Sequence, residues 1–226
     1  LSFLCINFDA PVVKEAASWF LDGVFLNYNS SYLEQMLEQL LDEDDSPEVS
    51  RFLRAVDVRI DGFRVERAPE WRGQRVFVRH EVGGKTYELR LSEESAGTQK
   101  LMGLAAYLMT ALERGGTVVV DELDAKLHPK LLRYVILLFK DPEVNKSGAQ
   151  LIFSSQDVST MRNDVFRRDE IWFAARSEGE ASQLWSLADI HEANGNLVSK
   201  NAAFDKQYLS GRYGADPYLT RIEEWD

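Results

Sequence analysis

The chain has 226 residues, of which 45% are hydrophobic and 28% charged, with a formal net charge of −11 and one cysteine, Cys5. These figures describe an ordinary globular protein, large enough for one good-sized domain or a core with an appendage. They exclude an internal disulfide and argue against a nucleic-acid binder coated in positive charge, and no apolar run reaches the roughly 20 residues that span a bilayer. A lone cysteine fits a reducing compartment, so a cytoplasmic setting away from membranes is expected. The first residue is Leu1 and no basic region with a cleavage site follows. No signal peptide is read there, and the chain is expected to be a fragment of something longer.

Charge is unevenly spread. Residues 31–50 hold seven acids and no base, whereas residues 51–90 hold ten bases against six acids. The second stretch has the charge to touch phosphates, but a solvated sheet face is the plainer reading.

In chain order, residues 11–22 read as a helix, with Pro11 suited to a first turn. Residues 31–43 repeat Leu33, Met36, Leu37, Leu40 and Leu41 at helical spacing. Ser46 and Pro47 then cap and open a short helix carrying Val49, Phe52, Leu53 and Val56. Residues 1–55 are therefore taken as a helical segment. From Val56 the period becomes two, with Val58 and Ile60 following, and "RVFVRHEV" and "KTYELRL" face each other across Gly83-Gly84. Two glycines between alternating runs signal a hairpin, so an antiparallel β-region is expected over 56–91.

A helical stripe of Leu101, Leu104, Ala105, Leu108 and Leu112 then runs from about Gly97 to Glu113, ended by Gly115-Gly116. "TVVV" is a short apolar strand, Pro129 to Lys140 a helix with Leu132, Val135, Ile136 and Phe139 on one face, and "AQLIFSS" a second buried strand. "DEIWFAAR" and "SQLWSLADI" are two more strands, and "YLSGRYGADPYL" is read as irregular. Short apolar strands alternating with helices imply α/β architecture with a parallel sheet flanked by helices. The antiparallel β-region and the N-terminal helical segment are added to that core, and residues 56–226 are taken as the main domain.

Two stretches carry chemistry. In "TVVVDELDAKLHP" an apolar strand runs out into Asp121 and Glu122, with Asp124 on the turn before the next helix. Carboxylates at the C-terminal end of a strand sit where ligands collect in open α/β sheets. An Asp there can hold Mg²⁺ and the adjacent Glu can polarise a water for attack on a phosphate. The plain alternative is that these acids only cap the following helix. In "LSEESAGTQK", Ser95, Ala96, Gly97, Thr98 and Gln99 open a helix, where free N–H groups and the helix dipole favour an anion. Gly97 lets backbone approach closely, and Lys100 either adds charge or faces solvent. Taken alone, this stretch reads as an ordinary capped surface helix. His128 is read as a helix-entry residue, and His80 and His191 lack partners at zinc-ligand spacing. Trp71, Trp172 and Trp185 are taken as core or edge aromatics, and Arg212 as a turn residue or a phosphate contact.

The order of these pieces resembles the second half of an ABC-type ATPase domain, as in transporters and SMC-like repair proteins. It is most similar to the AAA-labelled, ABC-type ATPases of bacterial defence and abortive-infection systems, through "SEESAGTQ", "VVDELDAKLHP" and the late "LSGRYG". The resemblance runs from about Phe52 to Leu219 and implies a P-loop NTPase fold. It implies ATP and Mg²⁺ as cofactors and assigns the signature motif to "SAGTQK", Walker B to "TVVVDE", the D-loop to "LDAKLHP" and the switch strand to "QLIFSSQD". Asp121 would then hold the metal, Glu122 and Gln156 would be catalytic, and Ser95, Ala96, Gly97, Thr98, Gln99 and Asp124 would meet the nucleotide.

The partners implied are a second copy across an ATP sandwich, and an effector protein or DNA. Gln156 stands where the family usually has His, so it can hydrogen-bond a phosphate or water but carries no imidazolium charge. No G-x-x-x-x-G-K-[ST] occurs in the chain. The chain is accordingly expected to be a C-terminal portion, inactive alone. Two other readings stand beside this one: a TOPRIM-like Mg²⁺-dependent nuclease built on Asp-Glu-x-Asp, and a degenerate ATPase kept for dimerisation.

Overall fold

The computed structural model describes residues 14, 17–20, 23–27, 47–56, 60–67, 74–176, 181–192 and 195–215. The helix expected over 31–43 and the strand residues 57–59 lie outside them, and of the helix expected over 11–22, residues 14 and 17–20 are described and helical. The chain divides into two units, Leu1–Gln156 and Asp157–Asp226.

In the first unit the parallel sheet has the order β1 (Val24–Asn27), β5 (Thr117–Val120), β6 (Gln150–Phe153). Both pairings are parallel and in step, with Val118 opposite Phe25 on one side and Leu151 on the other. β1 is the main departure from the reading of residues 1–55 as helical. Its Val-Phe-Leu run is too short to separate strand from helix, and it becomes a strand by pairing with a partner far along the chain. β5 sits between two neighbours, so Val118 and Val120 are fully buried. β6 was expected to be buried and is not: Ile152 is 56% exposed. Among the described residues β6 has a neighbour on one side only.

Between β1 and β5 the chain makes helix α1 (Pro47–Ala55), strands β2 (Gly62–Arg67), β3 (Gln74–Val82) and β4 (Lys85–Arg90), and helix α2 (Ala96–Arg114). β2, β3 and β4 form an antiparallel sheet in that order. The turn between β3 and β4 puts both Gly83 (φ 60°) and Gly84 (φ 73°) in the left-handed region, the geometry that matches strand twist in a two-residue hairpin. Among the described residues regular pairing starts at Gly62, and Val56, where the alternation was read to begin, is still in the turn that ends α1.

α2 is buried all round over Leu101–Ala106, wider than the single stripe of leucines. It packs on α1 and against β5 and β1, while helix α3 (Pro129–Lys140) packs against β6. Leu53, Phe63, Val78, Leu91, Leu104, Leu108, Leu123, Leu132 and Val135 are among the fully buried side chains. Burying each such side chain contributes about 1.5–3 kcal/mol.

The second unit is built on an antiparallel ribbon, β7 (Trp172–Arg176) and β8 (Ser182–Ser186), and a short helix α4 (Phe204–Leu209). Its core gathers Ile171, Phe173, Leu187, Val198, Phe204 and Tyr213. Phe173 stacks on Tyr208 at 5.7 Å and lies 5.3 Å from Tyr213. The stretch read as irregular begins as the end of α4; the turn after it buries Tyr213, whose hydroxyl donates to Gln207 Oε1 at 2.7 Å. No described helix is long and apolar enough to cross a membrane.

Candidate functional site

The acids that follow β5 do not simply cap α3. That task falls to His128, whose Nδ1 accepts from the Lys130 N–H at 3.1 Å, with Pro129 at the first helical position. The acids instead form a turn over residues 121–126, in which Glu122 (φ 49°) and Lys126 (φ 65°) take the left-handed conformation. For residues with a Cβ that conformation costs about 1–2 kcal/mol each, so surrounding contacts must hold it.

Ser154, just beyond β6, supplies many of those contacts. Its hydroxyl donates to Asp121 Oδ1 at 2.5 Å and accepts from the Glu122 N–H at 2.8 Å. Its own amide donates to Val120 O and its carbonyl accepts from the Leu123 N–H. Two residues on, the Gln156 N–H donates to Asp124 Oδ2 at 3.2 Å. The ends of β5 and β6 are thus stitched side by side, which brings Asp121, Glu122, Asp124 and Gln156 into one place. Leu123 turns inward and is fully buried, anchoring the turn from below.

The start of α2 lies against this turn. A Cβ on Gly97 would stand 2.9 Å from Lys126 O, closer than real side chains come. The glycine is therefore explained within the chain, by close approach of helix and turn. Lys100, read as solvent-facing or as added charge, reaches back across the gap: its Nζ donates to Glu122 O at 2.5 Å. Burial pushes the Lys100 ammonium below the ordinary lysine range, with Lys126 adding to the effect, while Asp124, Glu122 and Asp121 pull it back up.

Ser95 caps α2. Its Oγ accepts from the Thr98 N–H at 3.1 Å and lies 2.9 Å from Thr98 Oγ1, and its carbonyl accepts from the Gln99 N–H. The Gln99 side chain folds back onto Glu94 O and Ser92 O. Of the amides from Ala96 to Gln99, those of Ala96 and Gly97 make no hydrogen bond among the described residues, so the open donors number fewer than the motif suggested. Upstream, His80 Nε2 meets Glu94 Oε1 at 2.6 Å, tying β3 to the approach to α2. His80 thus has an acid partner, and among the described residues it belongs to no metal-ligand cluster.

The site's donors can be matched to a nucleotide and Mg²⁺. The Glu122 carboxylate is exposed and makes no hydrogen bond among the described residues. Asp124 Oδ1 is buried and without a hydrogen-bond partner, an orphaned acceptor in the turn. Among the described residues no group of three or more His, Cys, Asp or Glu side chains is placed to hold a metal. A single carboxylate, Asp121, with the Ser154 hydroxyl beside it, suits Mg²⁺, which keeps several waters and takes phosphate oxygens as further ligands. It does not suit a metal held by protein alone.

A buried parallel strand ending in a carboxylate turn, set beside the N-terminus of a buried helix, lies at the carboxyl edge of the sheet where open α/β domains bind ligands. A family model described as "AAA domain, putative AbiEii toxin, Type IV TA system" matches residues 6–162. The chain belongs to this family of AAA domains, and the match covers both the acidic turn and the start of α2. Ser154 and Lys100 fall inside the matched span; most of the second unit falls outside it.

Among solved structures, the chain is similar to an SMC ATPase studied for ATP-driven dimerisation and DNA-stimulated activation, at 15% identity and TM-score 0.45, over 70% of this chain and 89% of that one. It is similar to an Smc head bound to the C-terminal winged-helix domain of ScpA, at 18% identity and TM-score 0.44, over 62% of this chain and 41% of that one. An Smc head with coiled coil and joint from Pyrococcus yayanosii aligns at 16% identity and TM-score 0.45, over 66% of this chain and 27% of that one. No curated protein matches the chain.

Proposed function

We propose that this chain carries the acidic turn and the helix-start half-site of an ATP hydrolase that works at a head-to-tail interface between two copies. The observation that carries the reading is the junction of turn and helix: Lys100 bonded to Glu122 O, Gly97 against Lys126 O, and the Glu122 carboxylate left unbonded beside them. Asp121 would hold Mg²⁺ with help from Ser154, and the metal would neutralise charge on the bound phosphates. Glu122 would orient and polarise the attacking water, and Gln156 would hydrogen-bond that water or the γ-phosphate. The amides of Ala96 and Gly97, with the Ser95 and Thr98 hydroxyls, would face the γ-phosphate held by the other copy. Gln99 would shape that loop through its bonds to Ser92 and Glu94, and Asp124 would stand at the border between the copies.

No G-x-x-x-x-G-K-[ST] motif occurs in these 226 residues, and the phosphate cradle would come from another segment or another chain. The setting we infer is bacterial phage defence or a DNA-related process, with an effector protein or DNA as the recipient of the cycle. Support comes from the likeness of "SEESAGTQ" and "VVDELDAKLHP" to defence ATPases.

Calorimetric titration tests the first half of the proposal. The isolated chain should bind Mg-ATP far more weakly than an intact site, and low-micromolar binding would show that the cradle is here after all. The second half is tested in an assembled ATPase that contains this segment and a cradle. There Glu122→Gln should lower kcat by about 100-fold or more. An unchanged kcat would make the segment a dimerisation module without catalytic duty.

A further inference from the structure

We infer that Lys100 is a positioning residue: it locks the acidic turn in its left-handed form and so aims the Glu122 carboxylate. The inference deepens the proposed function and depends on it for what is being aimed. Three observations lead to it.

First, the Glu122 backbone is held at three points. Its N–H donates to Ser154 Oγ at 2.8 Å, and its carbonyl accepts both from the Ala125 N–H at 3.0 Å and from Lys100 Nζ at 2.5 Å. Of these, only the lysine comes from the helix that opens the half-site. Second, Glu122 has φ 49°, a conformation that a residue with a Cβ leaves unless it is held. A charged donor on the carbonyl is the stronger kind of hydrogen bond available for that purpose. Third, the carboxylates of the same turn favour the protonated lysine. Asp124 Oδ1 is buried and unpartnered, and the Asp124 charge is the largest of those holding the Lys100 proton on. Asp121 and Glu122 act in the same direction, and Lys126 opposes them.

One side chain therefore links the start of α2 to the turn that carries Glu122. A movement of α2, whose N-terminus is the proposed contact with the other copy's nucleotide, would be felt at Glu122 through a single bond. Lys100 itself need not touch nucleotide for this.

The test uses Lys100→Met, which keeps the buried stem and removes the charge, and Lys100→Arg, which restores a charged donor. On the chain without nucleotide, hydrogen exchange is read at the Leu123, Ala125 and Leu127 amides, which close the turn onto Ser154 O, Glu122 O and Asp124 O. Lys100→Met should speed exchange there by about tenfold and leave Val118 and Val135 unchanged, with Lys100→Arg recovering most of the protection. In an assembled ATPase containing this segment, Lys100→Met should lower kcat about tenfold at nearly constant KM.

Unchanged exchange in Lys100→Met overturns the inference. So does faster exchange with an unchanged kcat, which would make the lysine a structural tie only, and so does a failure of Lys100→Arg to rescue. The exchange experiment needs no ATP, so it succeeds or fails separately from the ATPase reading.

Discussion

The acidic turn at 121–126 and the start of α2 meet at Gly97 and Lys126, yet they are held in opposite ways. The turn is fastened from a distance: Ser154 from the end of β6, Lys100 from α2 and buried Leu123 from below. The helix start is fastened locally, by Ser95 on Thr98 and by Gln99 folding back on Ser92 and Glu94. The first arrangement forces two non-glycine residues into a left-handed backbone and keeps them there. The second leaves two amide donors open. On the proposed function, the group to be aimed is over-constrained, whereas the surface proposed to receive an anion keeps its donors free.

That contrast can be broken in steps. The largest effect is expected from Gly97→Ala, which puts a methyl 2.9 Å from Lys126 O and forces helix and turn apart. Denaturant unfolding should show a loss of about 2–3 kcal/mol; a loss below 0.5 kcal/mol, on the order of a neutral surface change, would mean that the two surfaces part freely. Ser154→Ala removes the hydroxyl shared by Asp121 and the Glu122 amide, with an expected cost of about 1.5 kcal/mol and faster exchange at Glu122. Ser95→Ala should cost about 1 kcal/mol, visible as fraying of the first turn of α2, and Ser95→Gly only a few tenths. The smallest effect has the opposite sign. Lys126→Gly should stabilise by about 0.5 kcal/mol, since glycine takes φ 65° without the Cβ penalty and loses part of that gain to chain entropy. If Lys126→Gly destabilised instead, the turn would not be storing strain at that position.

What could be read in the sequence follows the same division between local and distant causes. The Gly83-Gly84 hairpin and the helix opened by His128-Pro129 are each specified within a few residues and appear where expected, and the helix read from about Gly97 begins at Ala96, capped by Ser95. "TVVV" followed by Asp121-Glu122 was legible because a buried strand leaves so few other residue choices. β1 was not, since Val24–Asn27 becomes a strand only by pairing with Thr117–Val120. The partial exposure of β6 depends on which neighbours it has, and composition does not state that. The roles of Ser154 and Lys100 were missed for a related reason. A serine after a strand and a lysine in a first helical turn are common, and only the fold says what they reach. A weak signal was present in Lys100, which lies one helical turn beyond Ala96 and so shares a face with the opening of α2.

Tyr213 gives the second unit a gauge of its own. Burial pushes its phenol up to about 12, with Glu192 and Asp205 adding to the rise and Arg212 opposing it. The neutral phenol is the form the folded unit prefers, so its contribution to stability is complete below the ordinary tyrosine range near 10. That contribution drains away as pH climbs from there towards about 12. Burial also raises the Tyr107 phenol in the first unit, so absorbance at the phenolate band during an alkaline titration should show a late component to which Tyr213 contributes, and in Tyr213→Phe that component should shrink. The part of the change lost in Tyr213→Phe reports on the ribbon and α4, so the fate of the region beyond the family match can be followed with no label attached.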